Sequence, residues 1–189
     1  MSNIEIVLFN PEIPQNTGNI MRTCVSLNMK LHLIKPMGFE IDDRKLRRSA
    51  VDYYDKINYE IHESFEDFQN KNKGKYYYLT RYANKVYSDI EFKTNEKVYV
   101  IFGSESYGID RTLLANNIEN CFRIPTTKDV RSLNLSNSVA IVLFEAMRQN
   151  DFKELELEEP NELKGKDFLK NYKWYYEKHK RTNFRWRNS

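Results

Sequence analysis

"VYVIFGSESYGIDRTLLANN", Val98 to Asn117, holds one complete unit of a fold. Five apolar or aromatic residues in a row read as a buried strand. A polar loop with two glycines breaks it, and a short helix around Arg111 to Asn117 follows. The same order recurs on either side. "IEIVLF", Ile4 to Phe9, is a strand ended by Asn10 and Pro11. Apolar residues at 20, 21, 24, 25 and 27 then predict a helix from about Asn19, with Asn16 or Thr17 as cap. "LHLIK" is a strand closed by Pro36 and Gly38. "DDRKLRRSAVDYY" is a charged helix whose Asp42 and Asp43 suit its positive N-terminus. Next come a strand in "INYEIH", a short helix capped by Ser64 and ended at Gly74, and strands in "KYYYLT" and "CFRIP". Residues 81–97 are mostly loop, and Ser138 to Gln149 is a helix. Strands alternating with helices predict an α/β fold with a mostly parallel sheet flanked by helices. Such sheets bind ligands at the carboxyl ends of their strands. Loops 10–19, 103–110 and 125–137 each follow a strand, so a parallel sheet brings all three to one edge.

Bulk properties narrow the class. The chain has 189 residues, 40% hydrophobic and 30% charged, which fits a soluble globular protein with a sizeable core. The net charge of +3 is unevenly spread. Residues 161–189 hold nine Lys or Arg against three Asp or Glu, a net of +6, which leaves −3 for residues 1–160. That asymmetry suggests an anionic partner for the C-terminal end, or a solvated lysine-rich helix. Two cysteines far apart give neither a disulfide framework nor zinc spacing and fit a reducing cytoplasm. The opening residues lack the apolar core of a signal peptide, and no apolar run could span a bilayer. His32, His62 and His179 sit apart in sequence, so no metal is expected, and His32 reads as structural. Walker, GxGxxG and GxSxG motifs are absent.

What remains is a set of backbone-rich loops suited to a polar, adenosine-like cofactor. "RSLNLSN", Arg131 to Asn137, crowds small hydrogen-bonding residues before a helix. They serve as caps, or they serve a ligand. Asn134, Ser136 and Asn137 make good caps; where a ligand is also served, Ser132 to Asn134 go to the ligand and Ser136 to Ser138 to the helix. Gly103 and Gly108 allow close approach to the backbone. Glu105 between them is a site residue or a surface turn carboxylate. Arg22 falls about one turn into its helix, where a cation opposes the helix dipole. It is simply exposed, or it holds a phosphate or hydroxyl.

"PEIPQNTGNIMRTC", "LHLIKPMGFEIDDRKLRRSAVDY", "VYVIFGSESYGI" and "FRIPTTKDVRSLNLSNSVAIVLFEAMRQ" together resemble the signature blocks of the SPOUT-superfamily RNA 2′-O-ribose methyltransferases. Within them the chain is most similar to the short tRNA wobble-position enzymes. The resemblance covers roughly residues 4–150. It implies a C-terminal deep trefoil knot, a homodimer and S-adenosylmethionine as cofactor. It implies methylation of the wobble nucleotide, cytidine or modified uridine 34, in the anticodon region of tRNA. Carried over position by position, Leu79, Gly103, Ile124 and Ser132 would bind the cofactor. Thr80, Glu105, Gly108, Leu133 and Asn134 would line the same pocket. Arg22 would be the catalytic residue, binding the adjacent phosphate and orienting the hydroxyl, because a guanidinium is a poor literal base. Asn16 and Asn19 would touch the nucleotide beside it. Phe144 stands where the wobble enzymes would carry a tyrosine.

The expected organisation is a methyltransferase domain over 1–152 and a basic, aromatic extension over 153–189, helical to about Lys180. The extension grips tRNA, or it packs Phe168, Tyr172, Tyr175 and Tyr176 on the domain or dimer partner. Two other functions compete. One is the same chemistry at another tRNA or ribosomal RNA position. The other is a catalytically quiet RNA-binding or assembly protein, against which Arg22 and the intact "GSESYG" and "SLNLSN" stand.

Overall fold

The computed structural model describes residues 3–41, 44–50 and 56–172. Seven strands form one sheet: β1 Ile4–Phe9, β2 Leu31–Ile34, β3 Tyr59–His62, β4 Lys75–Leu79, β5 Lys85–Val86, β6 Val98–Phe102 and β7 Cys121–Arg123. Their order across the sheet is β3-β2-β1-β6-β4-β7-β5. Every pairing between these strands is parallel, with Val7 aligned to both His32 and Ile101. Five helices are described: α1 Pro14–Ser26, α2 Arg44–Ala50, α3 Phe65–Lys71, α4 Arg111–Ala115 and α5 Leu135–Gln149. The expected α/β architecture is therefore present.

Both faces of the sheet are buried. Val7, Ile34, Tyr78, Tyr99 and Ile101 share a core with Phe68 of α3 and Leu114 of α4. Strand alternation turns Ile6, Leu8, Leu31, Leu33, Val98 and Val100 to the opposite face, where they are fully buried. Helices α1, α2 and α5 remain to cover that face, and α1 packs against both of the others. Gly18 makes the α1–α2 approach possible, since a Cβ there would stand 2.6 Å from the Leu46 carbonyl oxygen. No helix among the described residues is long and apolar enough to cross a membrane.

Several boundaries differ from the sequence reading. Helix α1 starts at Pro14, with Ile13 as its N-cap and no side-chain cap bond. Proline at the first helical position is preset for the helix, so no side-chain cap is needed. Asn16 and Thr17 lie inside the helix and are buried. Helix α5 starts three residues earlier than expected, at Leu135, and Asn134 caps it. Ser64 caps α3 by accepting from the Asp67 N–H at 3.1 Å, as expected, whereas Asn72 rather than Gly74 ends that helix. The 81–97 segment contains β5 and a short 3-10 turn, Tyr87–Asp89. Asp42 and Asp43 lie outside the described residues.

The three histidines are not all apart. Pairing of β2 with β3 brings His32 Nδ1 within 2.9 Å of His62 Nε2. His32 Nε2 meets a Glu5 carboxylate oxygen at 2.8 Å, and Lys97 bonds the other oxygen. Burial alone would raise the Glu5 carboxyl, but hydrogen bonds from His32 and Lys97 override it and hold it at about 2. Burial, and then the neighbouring His32, push the His62 imidazole below its ordinary value. Ligand atoms of His32, Glu60 and His62 lie within 4.8 Å of one another. Glu5 is four residues back from the end of β1, about 13 Å from the carboxyl edge.

The described residues form two compact units, one through Asp151 and one from Phe152 onward. In the second, residues 168–172 are helical, and the rings of Phe168 and Tyr172 meet at 5.7 Å. The helix expected over most of the extension is thus one short segment among the described residues. Tyr175, Tyr176 and Lys180 lie outside them.

Candidate functional site

An open cavity of about 660 Å³ lies at the carboxyl edge of the sheet. Four segments build it. Ile13 and Asn16 come from the start of α1. Leu79, Thr80, Arg81 and Tyr82 continue β4. Residues 102–109 follow β6, and Ile124, Thr126 and residues 131–135 follow β7. All nine residues expected to hold the cofactor line this one cavity, as does Asn16. Asn19 and Arg22 are exposed on α1 and do not line it. Since α1 starts at Pro14, Arg22 lies in the third turn rather than the first. The dipole argument raised by the sequence therefore lapses.

A hydrogen-bond relay joins the loops. The Glu105 carboxylate accepts from the Glu12 N–H at 2.9 Å and from Asn16 Nδ2 at 2.8 Å. Asn16 Oδ1 accepts from Asn134 Nδ2 at 3.0 Å. Asn134 Oδ1 accepts from the N–H of Ser136 at 2.9 Å and of Asn137 at 3.4 Å. In return, the Ser106 N–H donates to the Glu12 carboxylate at 3.1 Å. Glu105 is thus a bridge between loops, neither a loose surface carboxylate nor an unengaged acid. Asn134 serves helix and cavity together: it is the cap the sequence offered, and it also lines the cavity, so the split between ligand residues and helix residues is not clean. Asn137 is capped rather than capping.

The loop after β6 is held shut on itself. Ser104 and Gly108 exchange backbone hydrogen bonds of 3.3 and 3.0 Å, and Gly108 has φ +74°. A Cβ on Gly103 would stand 2.1 Å from the Gly108 carbonyl carbon, so only glycine fits there. A parallel strand that ends on such a turn leaves main-chain groups facing the cavity. The volume lies within the range of roughly 300–1,000 Å³ typical of small-molecule sites. Apart from three arginines on its rim, Glu105 is the only charged lining residue, and its oxygens are already engaged. These features fit a polar ligand held largely by backbone groups.

Sequence reading missed part of the rim. Arg81, Tyr82, Tyr107 and Arg111 line the cavity, and Tyr82 and Tyr107 are 54% and 87% exposed. The signal available was an unusual pairing of cations and aromatics inside supposed loop. Phe144 is half exposed, while Val139, Val142, Leu143, Ala146 and Met147 of the same helix are buried. Cys24 is sealed in the core, where burial pushes its thiol up to about 12, so it is no nucleophile.

Comparison with known proteins agrees with this geometry. The SpoU rRNA Methylase family matches residues 3–144. A Listeria monocytogenes protein named as a tRNA (cytidine(34)-2'-O)-methyltransferase is 48% identical over 82% of this chain and 93% of its own length. A solved structure described as giving insight into 2-OH methylation of C/U34 on tRNA is 34% identical. It covers 79% of this chain and 97% of its own, with a TM-score of 0.73. The SpoU methyltransferase AviRb from Streptomyces viridochromogenes, solved in complex with the cofactor AdoMet, is 20% identical and shares the fold. It covers 80% of this chain and 59% of its own, with a TM-score of 0.69.

Proposed function

The chain belongs to the SpoU rRNA methylase family, and from that premise we propose that it transfers a methyl group from S-adenosylmethionine to the ribose 2′-oxygen of nucleotide 34 of tRNA. The observation that carries this reading is the cavity, where nine residues expected from three separate loops line one volume beside the Asn134–Asn16–Glu105 relay. The name of the Listeria relative and the tRNA work on the 34%-identical structure support the target. The cofactor-bound AviRb structure supports the methyl donor. A cytoplasmic location is part of this reading.

When bound, the cofactor supplies an electrophilic methyl group on a sulfonium. Main-chain groups of Leu79, Gly103, Ile124 and Ser132 would hold it, with Thr80, Glu105, Gly108, Leu133 and Asn134 completing the walls. Arg22 would bind the phosphate beside the target ribose and align the hydroxyl, with Asn16 and Asn19 beside it. Alignment can supply up to roughly 7–11 kcal/mol of a barrier in favourable cases. Arg22 does not line the cavity of its own chain. A homodimer, which is part of this reading, offers a second copy from which it could act. The trefoil knot belongs here too. Strand β6 lies between β1 and β4, and β7 between β4 and β5, so late segments insert among earlier ones. Residues 1–152 would be the methyltransferase domain and 153–189 an added extension.

The test is to incubate the protein with S-adenosylmethionine and total tRNA and to map ribose methylation by nuclease digestion and mass spectrometry. A 2′-O-methyl group gained at position 34 is the expected result. Methylation only at other positions, or in ribosomal RNA alone, overturns the assignment.

A further inference from the structure

The rim of the cavity carries charge and aromatic surface that a backbone-held cofactor does not require. Arg81 and Tyr82 follow β4, and Arg111 opens α4. The Arg81 guanidinium lies 4.8 Å from the centre of the Tyr82 ring and donates to its hydroxyl at 3.0 Å. The Arg111 guanidinium lies 5.8 Å from the same ring centre. Tyr82 is nevertheless 54% exposed. Arg131 makes a third cation on the lining, against Glu105 alone, whose carboxylate already accepts from Glu12 and Asn16. Positive charge gathers here although residues 1–160 as a whole carry −3. Exposed guanidiniums beside an exposed ring at the mouth of a cavity suit a ligand that carries both phosphates and a flat base.

We propose that Arg81, Tyr82 and Arg111 form a nucleotide platform, with the Tyr82 ring stacking an unpaired base and the two guanidiniums taking the phosphates that flank it. The inference rests on the RNA methyl-transfer reading and assigns to that reaction a subsite outside the cofactor walls. The chemistry is that of single-stranded nucleic-acid sites, where aromatic faces stack bases and cations track the backbone. Arginine suits both tasks, because its planar fork binds phosphate in two places and also stacks on rings. A nucleotide extruded from an anticodon loop for reaction has unpaired neighbours, and one of them would lie on Tyr82. The rival occupant is the carboxylate of the cofactor's amino-acid end, which two arginines could also bind.

The experiment uses the full chain, a fluorescent anticodon stem-loop RNA and S-adenosylmethionine. Anisotropy across a salt series measures RNA binding, and calorimetry measures cofactor binding. Arg81→Gln with Arg111→Gln should weaken the stem-loop at least tenfold at low salt. It should also lower the slope of log affinity against log salt by about 1.4, since each phosphate contact to a single strand contributes about 0.7. Tyr82→Ala should weaken RNA about tenfold and leave the slope unchanged, while Tyr82→Phe stays within twofold of wild type. Cofactor affinity should stay within twofold throughout. RNA binding unchanged in both Tyr82→Ala and the double variant overturns the platform, and loss of cofactor affinity instead gives the arginines to the cofactor. Wild-type protein that binds cofactor but no RNA overturns the methylation reading and the platform with it.

Discussion

Asn16 is spent on both sides of its amide, donating to Glu105 and accepting from Asn134 across 118 residues of sequence. It is 7% exposed, so water cannot replace either bond easily. Asn16→Ala should destabilise the fold by about 1–3 kcal/mol, the usual cost of leaving partly buried polar groups without partners. Asn16→Asp should do worse at neutral pH, because it sets a second carboxylate against Glu105. Melting temperatures of the two variants at pH 7 and pH 4 check this, with the aspartate variant recovering relative to alanine as the pair takes up a proton. Arg22 is exposed on α1, and substitutions at such surface positions usually change stability by no more than about 0.5 kcal/mol. Under the proposed role, Arg22→Ala should nonetheless lower methyl transfer at least a hundredfold with cofactor affinity unchanged, and Arg22→Lys should keep part of the rate. Near-normal turnover in both variants would remove Arg22 from the mechanism.

At the scale of elements, the β-strand, glycine turn and helix around Val98 to Asn117 holds a corner of the site where backbone packs directly on backbone. Gly103→Ala must push a methyl group into the backbone of Gly108 and Ile109, at 2.1 and 2.3 Å. The turn cannot yield without breaking the Ser104–Gly108 bridge. Calorimetry should show cofactor affinity down by tenfold or more, together with a melting loss of a few degrees. This unit was legible because its signals are local, an apolar run followed by glycines at a turn. Helix starts were less legible. Pro14 opens α1 without help, which left Asn16 and Thr17, ordinary capping types, free to face the core. Asn134 fitted both readings because a single amide can cap α5 with its oxygen and reach Asn16 with its nitrogen. The relay itself joins residues from three distant segments, so no spacing in the chain announces it. Resemblance rather than spacing brought the nine cavity residues together, while the adjacent Arg81 and Tyr82, legible as a cation–aromatic pair, met Arg111 only through the fold.

For the whole molecule, two questions of charge remain open to measurement. The buried row of Glu5, His32 and His62 makes stability depend on pH. Glu5 titrates at about 2 in the fold and near 4.5 when unfolded, so its contribution is full above 4.5 and is lost as pH falls towards 2. The His62 value is depressed from 6.5, so the unfolded chain takes its proton first and stability begins to fall as pH drops through that range. Melting temperature should therefore decline in two stages from neutral pH to acid, and Glu5→Gln should flatten the lower one. The second question is the extension, whose residues 161–189 carry +6. Exposed Leu163, Leu169 and Tyr172 allow a packing role, while the lysines beside them allow a phosphate-binding one. The two differ in salt dependence, since only phosphate contacts release counterions. Deleting 161–189 should leave melting of the remaining chain nearly unchanged, weaken tRNA binding at low salt and flatten its salt slope by about one for each phosphate released. A deletion that lowers melting or changes the oligomeric state, with RNA affinity and slope intact, assigns the extension to packing instead.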